Sequence, residues 1–427
     1  VVGLFGLGLS FTIGILDPFL YTEKVRTLAP PAYKNTALGL LTILTLLVAL
    51  VWQPVVGWLS DRTRGPWGRR APYLAAGAIG LTITLSMVVL ADSLWLLVLS
   101  AMLLSASTNT TQGAWQALIP DRVPEAQHGT AAGIKALLEM IGVVGAVVVA
   151  GVTLSRGNLW GGPAAALLLF YVILLVTLVT LWGSKGTGNL QARRAGVDQS
   201  GQRNGDVTGA TVRLFDPPVL RVRRFFRSFM RRIPPAFPWW MLNRFFFWSA
   251  AIAVRTFMLN YMEDVLAIPP AEAQALSSRI FLVLGLGVFL LALPAGAVAD
   301  RIGRRPLLVG AGLSAAAGTM FFVFSRDIVL LFVAGGLIAV GAGIFASASW
   351  ALATDLAPSS EGAQYLALAN AATVLGSIGG RMGGPLIDGV NRLTGTVELG
   401  YLLVFGIATL FFVGSSLVVL KITEVYR

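Results

Sequence analysis

Three sets of polar side chains stand inside otherwise apolar stretches of this 427-residue sequence, and any chemistry must come from them. Asn109, Gln112 and Gln116 recur at i, i+3 and i+7, so a helix gathers them into one stripe. Amides donate and accept hydrogen bonds at once. That suits a solute rich in hydroxyl groups, and equally suits bonds between neighbouring helices. Lys135 and Glu139 stand at i, i+4 and predict an internal ion pair. Either the two charges neutralise each other structurally, or Glu139 is a titratable carboxylate whose proton Lys135 governs. Gln53 precedes Pro54, where a helix backbone must rearrange, and Asn370 is a further amide in an apolar run. Asp17, just before Pro18, and Arg381 lie near helix ends and read as interface or gate residues. Trp52, Trp115 and Trp350 lie beside these groups, placed either to stack on a ring-shaped solute or simply to pack.

The elements that must carry these residues are long and apolar. Hydrophobic residues make up 56% of the chain and charged residues only 12%, with a mean hydropathy of +0.77, which excludes an ordinary soluble domain. Twelve runs are long enough to cross roughly 30 Å of hydrocarbon. They cover 1–21, 37–60, 72–91, 94–118, 130–153, 160–183, 238–262, 273–299, 306–325, 328–353, 363–388 and 399–421. The predicted fold class is therefore an all-α membrane protein. The first run begins at Val1, already apolar, so a native N-terminal piece is expected ahead of it. It has no basic leader or small-residue cleavage site and does not read as a signal peptide. In the seventh run, Arg244 is shallow enough to snorkel to the surface, Arg255 less so; Asn243 and Asn260 accompany them.

The absence of cysteine and the single His128 exclude disulfides and thiolate metal sites, and no metal or cofactor is expected. No nucleotide-binding loop and no Ser/His/Asp set supports an enzyme. The net charge of +12 is a topology signal, and no nucleic-acid partner is expected. Loops after even-numbered runs hold nineteen Lys and Arg, and loops after odd-numbered runs hold six. That bias predicts an inner-membrane protein with both termini in the cytoplasm.

The densest charge lies in the stretch from Trp52 to Tyr73, WQPVVGWLSDRTRGPWGRRAPY, and it has an echo in GAVADRIGRRPLL, Gly296 to Leu308. In each copy a Gly stands four residues before Asp-Arg, and Gly-Arg-Arg follows before a helix-starting Pro. Gly57 and Gly296 are expected to let two helix backbones approach closely. Asp61 and Asp300 are expected to accept charge-assisted hydrogen bonds in a latch that forms in one conformer and breaks in another. Arg62, Arg69, Arg70, Arg301, Arg304 and Arg305 hold the loops on the cytoplasmic side. The loop echo has an offset of 239. A second echo, Trp115-x5-Asp121-x2-Pro124 against Trp350-x4-Asp355-x2-Pro358, has an offset of about 235. Both predict two six-helix bundles, 1–183 and 238–427, related by a repeat. Segment 184–237 links them. Its second part alternates Val222, Phe225, Phe226, Phe229 and Met230 with Arg221, Arg224, Arg227, Arg231 and Arg232, as a basic helix lying on membrane lipid would.

The doubled Gly-x3-Asp-Arg with its Gly-Arg-Arg resembles the cytoplasmic-loop signature of the major facilitator superfamily. The longer string Q-P-V-V-G-x2-S-D-R-x4-W-G-R-R-x-P-Y, from Gln53 to Tyr73, resembles a narrower group, the glycoside–pentoside–hexuronide cation symporters. Within that group it is similar to the branch of plant-type sucrose–proton symporters. The helix-4 string N-T-T-Q-G-x3-A-L-x2-D, Asn109 to Asp121, carries the same likeness. The resemblance implies a major facilitator fold of twelve helices and a secondary transporter of a glycoside or disaccharide, with proton symport. Gln53, Asn109, Gln112, Gln116 and Asn370 would then bind the sugar. There are departures. The acids that sodium-coupled members carry on helices 2 and 4 fall at Gln53 and Gln112, and the sugar-binding acid of helix 1 falls at Ser10. The helix-4 acid and arginine of the sucrose branch fall at Ser105 and Gln116. Sodium coupling is not expected, and proton coupling needs another carboxylate, with Glu139 first and Asp17 in reserve. An exporter or uniporter of another organic solute, or a non-transporting scaffold, is the alternative.

Overall fold

The computed structural model describes residues 2–63, 70–116, 128–183, 234–356 and 362–422. They form twelve helices, with no strand among the described residues. Helix α1 has three pieces, Val2–Ile15, a π-helical turn Leu16–Leu20 and Tyr21–Leu28. Then follow α2 (Lys34–Arg62), α3 (Ala71–Leu90), α4 (Leu94–Gln116), α5 (His128–Ser155) and α6 (Gly161–Gly183). The second half holds α7 (Ala236–Asp264), α8 (Pro270–Ile302), α9 (Arg304–Phe324) and α10 (Ile328–Leu356). It closes with α11, in two pieces Gly362–Arg381 and Gly383–Thr394, and α12 (Val397–Val419).

Ten of these helices are long and apolar enough to cross a membrane. The other two, α7 and α11, carry Asn243, Arg244, Arg255 and Asn260, and Asn370 and Arg381, the polar groups that matter below. Several helices outrun their apolar stretches. Helix α1 continues to Leu28, α2 starts at Lys34 and α8 starts at Pro270, because polar first and last turns can stand in the headgroup layer. The repeat also explains a glycine of the second charged loop. Gly303 ends α8 and precedes α9 with φ +92°, a conformation that a side chain resists, so the chain reverses there in a single residue.

Within the first half, α1 packs on α5 and α6, and α4 on α2 and α3. Within the second, α7 packs on α11 and α12, α10 on α8 and α9, and α9 on α12. Two crossings join the halves, α5 with α8 and α2 with α11, and the repeat interchanges them. Lipid tails are as apolar as leucine, so helix association rests on close packing and hydrogen bonds. Phe247 and Phe345 stack at 3.7 Å between α7 and α10. Gly39 on α2 and Gly384 on α11 face each other's backbone. A methyl on Gly39 would collide with the Arg381 carbonyl, and one on Gly384 with the Asn35 carbonyl.

Residues 184–233 lie outside the described residues, and with them the expected basic helix of the linker. Asp121, Pro124 and Pro358 of the second echo lie outside them too.

Candidate functional site

The face carrying the two Asp-Arg loops is called the Arg-rich face here, and the opposite one the far face. Toward the far face the halves are joined by a polar lattice. It begins with α1, whose backbone leaves the helical region at Asp17 (φ −120°, ψ 116°). The Tyr21 N–H donates to the Leu16 carbonyl in the π turn, which leaves the Asp17 carbonyl to Arg255 Nη2 at 2.5 Å. The Asp17 carboxylate pairs with Arg381 Nη2 at 3.1 Å, with both side chains nearly buried, and its Oδ1 is buried without a partner. Asn35 Nδ2 donates to Asp388 Oδ1 at 2.9 Å, and the Thr36 N–H to Asp388 Oδ2 at 2.6 Å. Asn260 Nδ2 donates to Asn35 Oδ1 at 2.8 Å, and Tyr401 OH to Asp264 Oδ2 at 2.6 Å. Lys34 Nζ completes the lattice on Asp264 Oδ1 at 2.5 Å.

On the α5–α8 crossing, Ser278 Oγ donates to the Val147 carbonyl at 2.7 Å, and beside it Gln274 Nε2 of α8 donates to Glu23 Oε2 of α1 at 2.6 Å. Glu263, past the apolar run 238–262, has Oε1 buried without a partner. Burial pushes its carboxyl up to about 7. Arg26 and Lys34 oppose that rise, and Glu23 and Asp264 add to it.

Toward the Arg-rich face the arrangement is the reverse. No hydrogen bond or ion pair between described residues joins the halves there. A methyl added to Gly57 or Gly133 would meet nothing within 4 Å. In this conformation no described residue makes the close approach expected at Gly57. Asp61 bonds within its own hairpin, to Arg70 Nη2 at 2.7 Å, with its side chain 60% exposed. Arg70 also donates to Ser60 Oγ at 2.5 Å, and the Arg62 guanidinium lies 3.9 Å over the Trp58 ring. In the second copy Arg304 reaches the Ala351 carbonyl and Arg305 the Leu420 carbonyl, while Arg301 is exposed. Arg69, the surroundings of Gly296 and the side chain of Asp300 lie outside what the structure describes.

Between the two faces lie the amides. Gln53 Nε2 donates to Gln116 Oε1 at 2.9 Å across the α2–α4 contact. Trp52, 40% exposed, donates to Thr110 Oγ1 at 2.9 Å beside them. Asn109 is buried and donates back to the Ser105 carbonyl at 2.8 Å, as a mid-helix amide without an outside partner does. Gln112 is half-buried, and Asn370 is exposed on α11 in the other half. The stripe thus divides, with Gln116 joined to Gln53 and Asn109 turned into its own helix.

Lys135 and Glu139 form their pair at 3.3 Å, both part-exposed, with Lys135 Nζ 5.1 Å over the Trp115 ring. Trp115 is wholly buried against Phe5, so in this conformation it packs and does not stack on a solute. Arg244 is a second correction. It does not snorkel; it is 4% exposed and held inside the second half by Thr373 and Ser349 on α11 and α10.

Sequence reasoning missed Asp264, Asp388, Glu263 and the Gly39–Gly384 contact. Charges and glycines near helix ends look alike whether they face water or another helix. The one available signal was the glycine density of Gly379, Gly380, Gly383 and Gly384.

A search of the curated proteins returns no match. Solved structures do match along nearly the whole chain. The nucleoside transporter NupG matches with TM-score 0.68 at 15% identity, covering 100% of this chain and 98% of its own. A D-xylose–proton symporter matches with TM-score 0.69 at 14%, covering 99% and 96%. A bacterial homologue of the human lysosomal transporter Spinster, in an inward-facing, unoccupied conformation, matches with TM-score 0.64 at 15%, covering 100% and 98%. At such identities the likeness is one of fold. The family model described as Major Facilitator Superfamily matches residues 1–380 and 241–426, and with it the doubled loop, the repeat and the twelve helices find one account: this chain belongs to the Major Facilitator Superfamily.

Proposed function

We propose that the chain is a secondary active transporter that moves a small polar solute, a glycoside or disaccharide, by alternating access with proton symport. It would sit in the inner membrane with both termini, and hence the Arg-rich face, on the cytoplasmic side. The observation that carries this reading is the one-sidedness of the contacts between halves. Among described residues every polar bond joining them lies toward the far face, and toward the Arg-rich face Gly57 and Gly133 have open space beside them. A chain closed by breakable hydrogen bonds at one end and open at the other is one end-state of a rocking cycle. In the opposite state the far lattice parts, and the loops around Asp61 and Asp300 come together as latches.

Gln53, Asn109, Gln112 and Gln116 in the first half and Asn370 in the second would hold sugar hydroxyls, with donors and acceptors in one place. Glu139, beside Lys135, would carry the coupling proton, and Asp17 is the reserve. A uniporter is the second reading, because both carboxylates already face a cation, at 3.3 and 3.1 Å. Uptake of a radiolabelled glycoside panel into proteoliposomes, with and without an inward proton gradient, tests the proposal. Accumulation above equilibrium only with the gradient is expected. Equilibration without accumulation selects the uniporter, and no uptake of any glycoside rejects the sugar reading.

A further inference from the structure

Apart from Arg62 over Trp58 and Lys421 over Trp239 near helix ends, each half of the molecule lays a cation on a tryptophan inside its bundle, and these two inner cations are balanced differently. In the first half Lys135 Nζ stands 5.1 Å over the Trp115 ring, and Glu139 answers its charge at 3.3 Å. In the second half the repeat puts Trp350 where the first has Trp115, and Arg244 lies on Trp350 as Phe5 lies on Trp115. Phe5 and Trp115 pack ring to ring at 5.9 Å, so packing at this position asks only for an apolar ring. The second half has a guanidinium there, 4.5 Å over Trp350 and 5.5 Å from Trp240.

No carboxylate among the described residues pairs with it. Arg244 Nε donates to Thr373 Oγ1 at 2.7 Å and Nη1 to Ser349 Oγ at 3.2 Å. Nη2 has no described partner and is not among the sealed, unpartnered polar atoms. Two hydroxyls and two ring faces orient the guanidinium but do not cancel its charge, and a buried, uncompensated charge in a membrane helix carries a heavy desolvation cost. The residue lies roughly 12 Å along α7 from its Arg-rich end, by 1.5 Å per residue. That is the end at which no polar bond between described residues joins the halves. Asn370, exposed, shares a face of α11 with Thr373 at i, i+3.

We propose that Arg244 is an oxyanion seat in the space between the halves, and that the transported solute carries a carboxylate or a phosphate group. The proposal rests on the transporter reading above and narrows its substrate class. A planar guanidinium already fixed on two sides presents its remaining edge to an oxyanion without further ordering. Asn370 would then bond the polar groups next to that anion.

The test measures ligand-dependent thermal stabilisation and proteoliposome uptake of the full-length protein. The probes are a methyl glucoside, the matching methyl glucuronide, a hexose 6-phosphate and succinate. Wild type is expected to bind at least one anion tenfold or more tightly than the neutral glycoside. Arg244→Gln should abolish that preference, and Arg244→Lys should keep part of it. An unchanged acid-to-neutral ratio in Arg244→Gln, even with a lowered melting temperature, would mark a merely structural arginine and overturn the proposal. So would a wild type that prefers no anion, a result that stands even if Arg244→Gln fails to fold. The sugar reading fails separately. Arg244-dependent binding of succinate with no binding of either glycoside would reject it and keep the oxyanion seat, whereas neutral-glycoside uptake without acid preference would do the opposite.

Discussion

Glu139 can couple a proton to solute movement only if it changes charge once per cycle, and Lys135 at 3.3 Å decides what that change meets. An amide keeps the shape and the hydrogen bond but cannot carry a proton, so Glu139→Gln separates the two roles. Gradient-driven accumulation is expected to disappear while solute exchange across the membrane persists. Retained accumulation removes Glu139 from coupling, and loss of both activities makes the pair structural. Asp61 is tested at the same scale. Its carboxylate is largely exposed to solvent in this conformation, which screens the bond to Arg70. If it latches the opposite conformer, Asp61→Asn weakens a charge-assisted bond of about 1.5–3 kcal/mol there. Uptake should then fall and labelling at the Arg-rich face should rise, roughly tenfold in population at the lower figure. Unchanged labelling would count against the latch.

At the scale of helices, the α2–α11 crossing depends on two glycines meeting backbone to backbone. Gly384→Ala puts a methyl against the Asn35 carbonyl, and overpacking of this kind costs about 1–3 kcal/mol. The molecule can relieve that cost by parting at the far face. Spin labels on the exposed Leu90 and Leu393 are therefore expected to report a longer distance in the variant, and an unaltered distance would mean that the seam gives locally. This contact shows where the sequence was readable and where it was not. Helix number, the repeat and the Asp61 and Lys135–Glu139 pairings follow from hydropathy and spacing, which are local properties. Gly39, Asn35, Asp388 and Asp264 do their work across more than two hundred residues of chain, and nothing within either stretch names the partner. Gly57 is silent for the same reason, since a small residue licenses close approach without saying in which conformer it occurs. Arg244 misled because depth along a helix says nothing of which way a long side chain turns.

For the molecule as a whole, the far lattice, which is the closed gate of the proposed cycle, contains a carboxyl that burial pushes up to about 7. Glu263 faces Arg26 and Glu23 of α1, Lys34 of α2 and its neighbour Asp264, and burial dominates all of them. A raised carboxyl binds its proton more tightly in the closed state than in water. Closure is thus favoured at low pH and loses that contribution as pH rises from about 4.5, the ordinary value, through about 7. The Leu90–Leu393 distance is expected to lengthen across that window, and Glu263→Gln should flatten the response; a dependence that survives the substitution points to another group. The interruption of α1 at Asp17 bears on how such opening spreads. A continuous helix transmits rotation from end to end, whereas here the backbone leaves helical geometry and hands its carbonyl to Arg255 on the other half. The segment Tyr21–Leu28 consequently takes its own seat within the first half, with Val25 packed among Val88, Val89 and Leu97 and Lys24 Nζ donating to the Val89 and Ala91 carbonyls, while Val2–Ile15 is seated against α5.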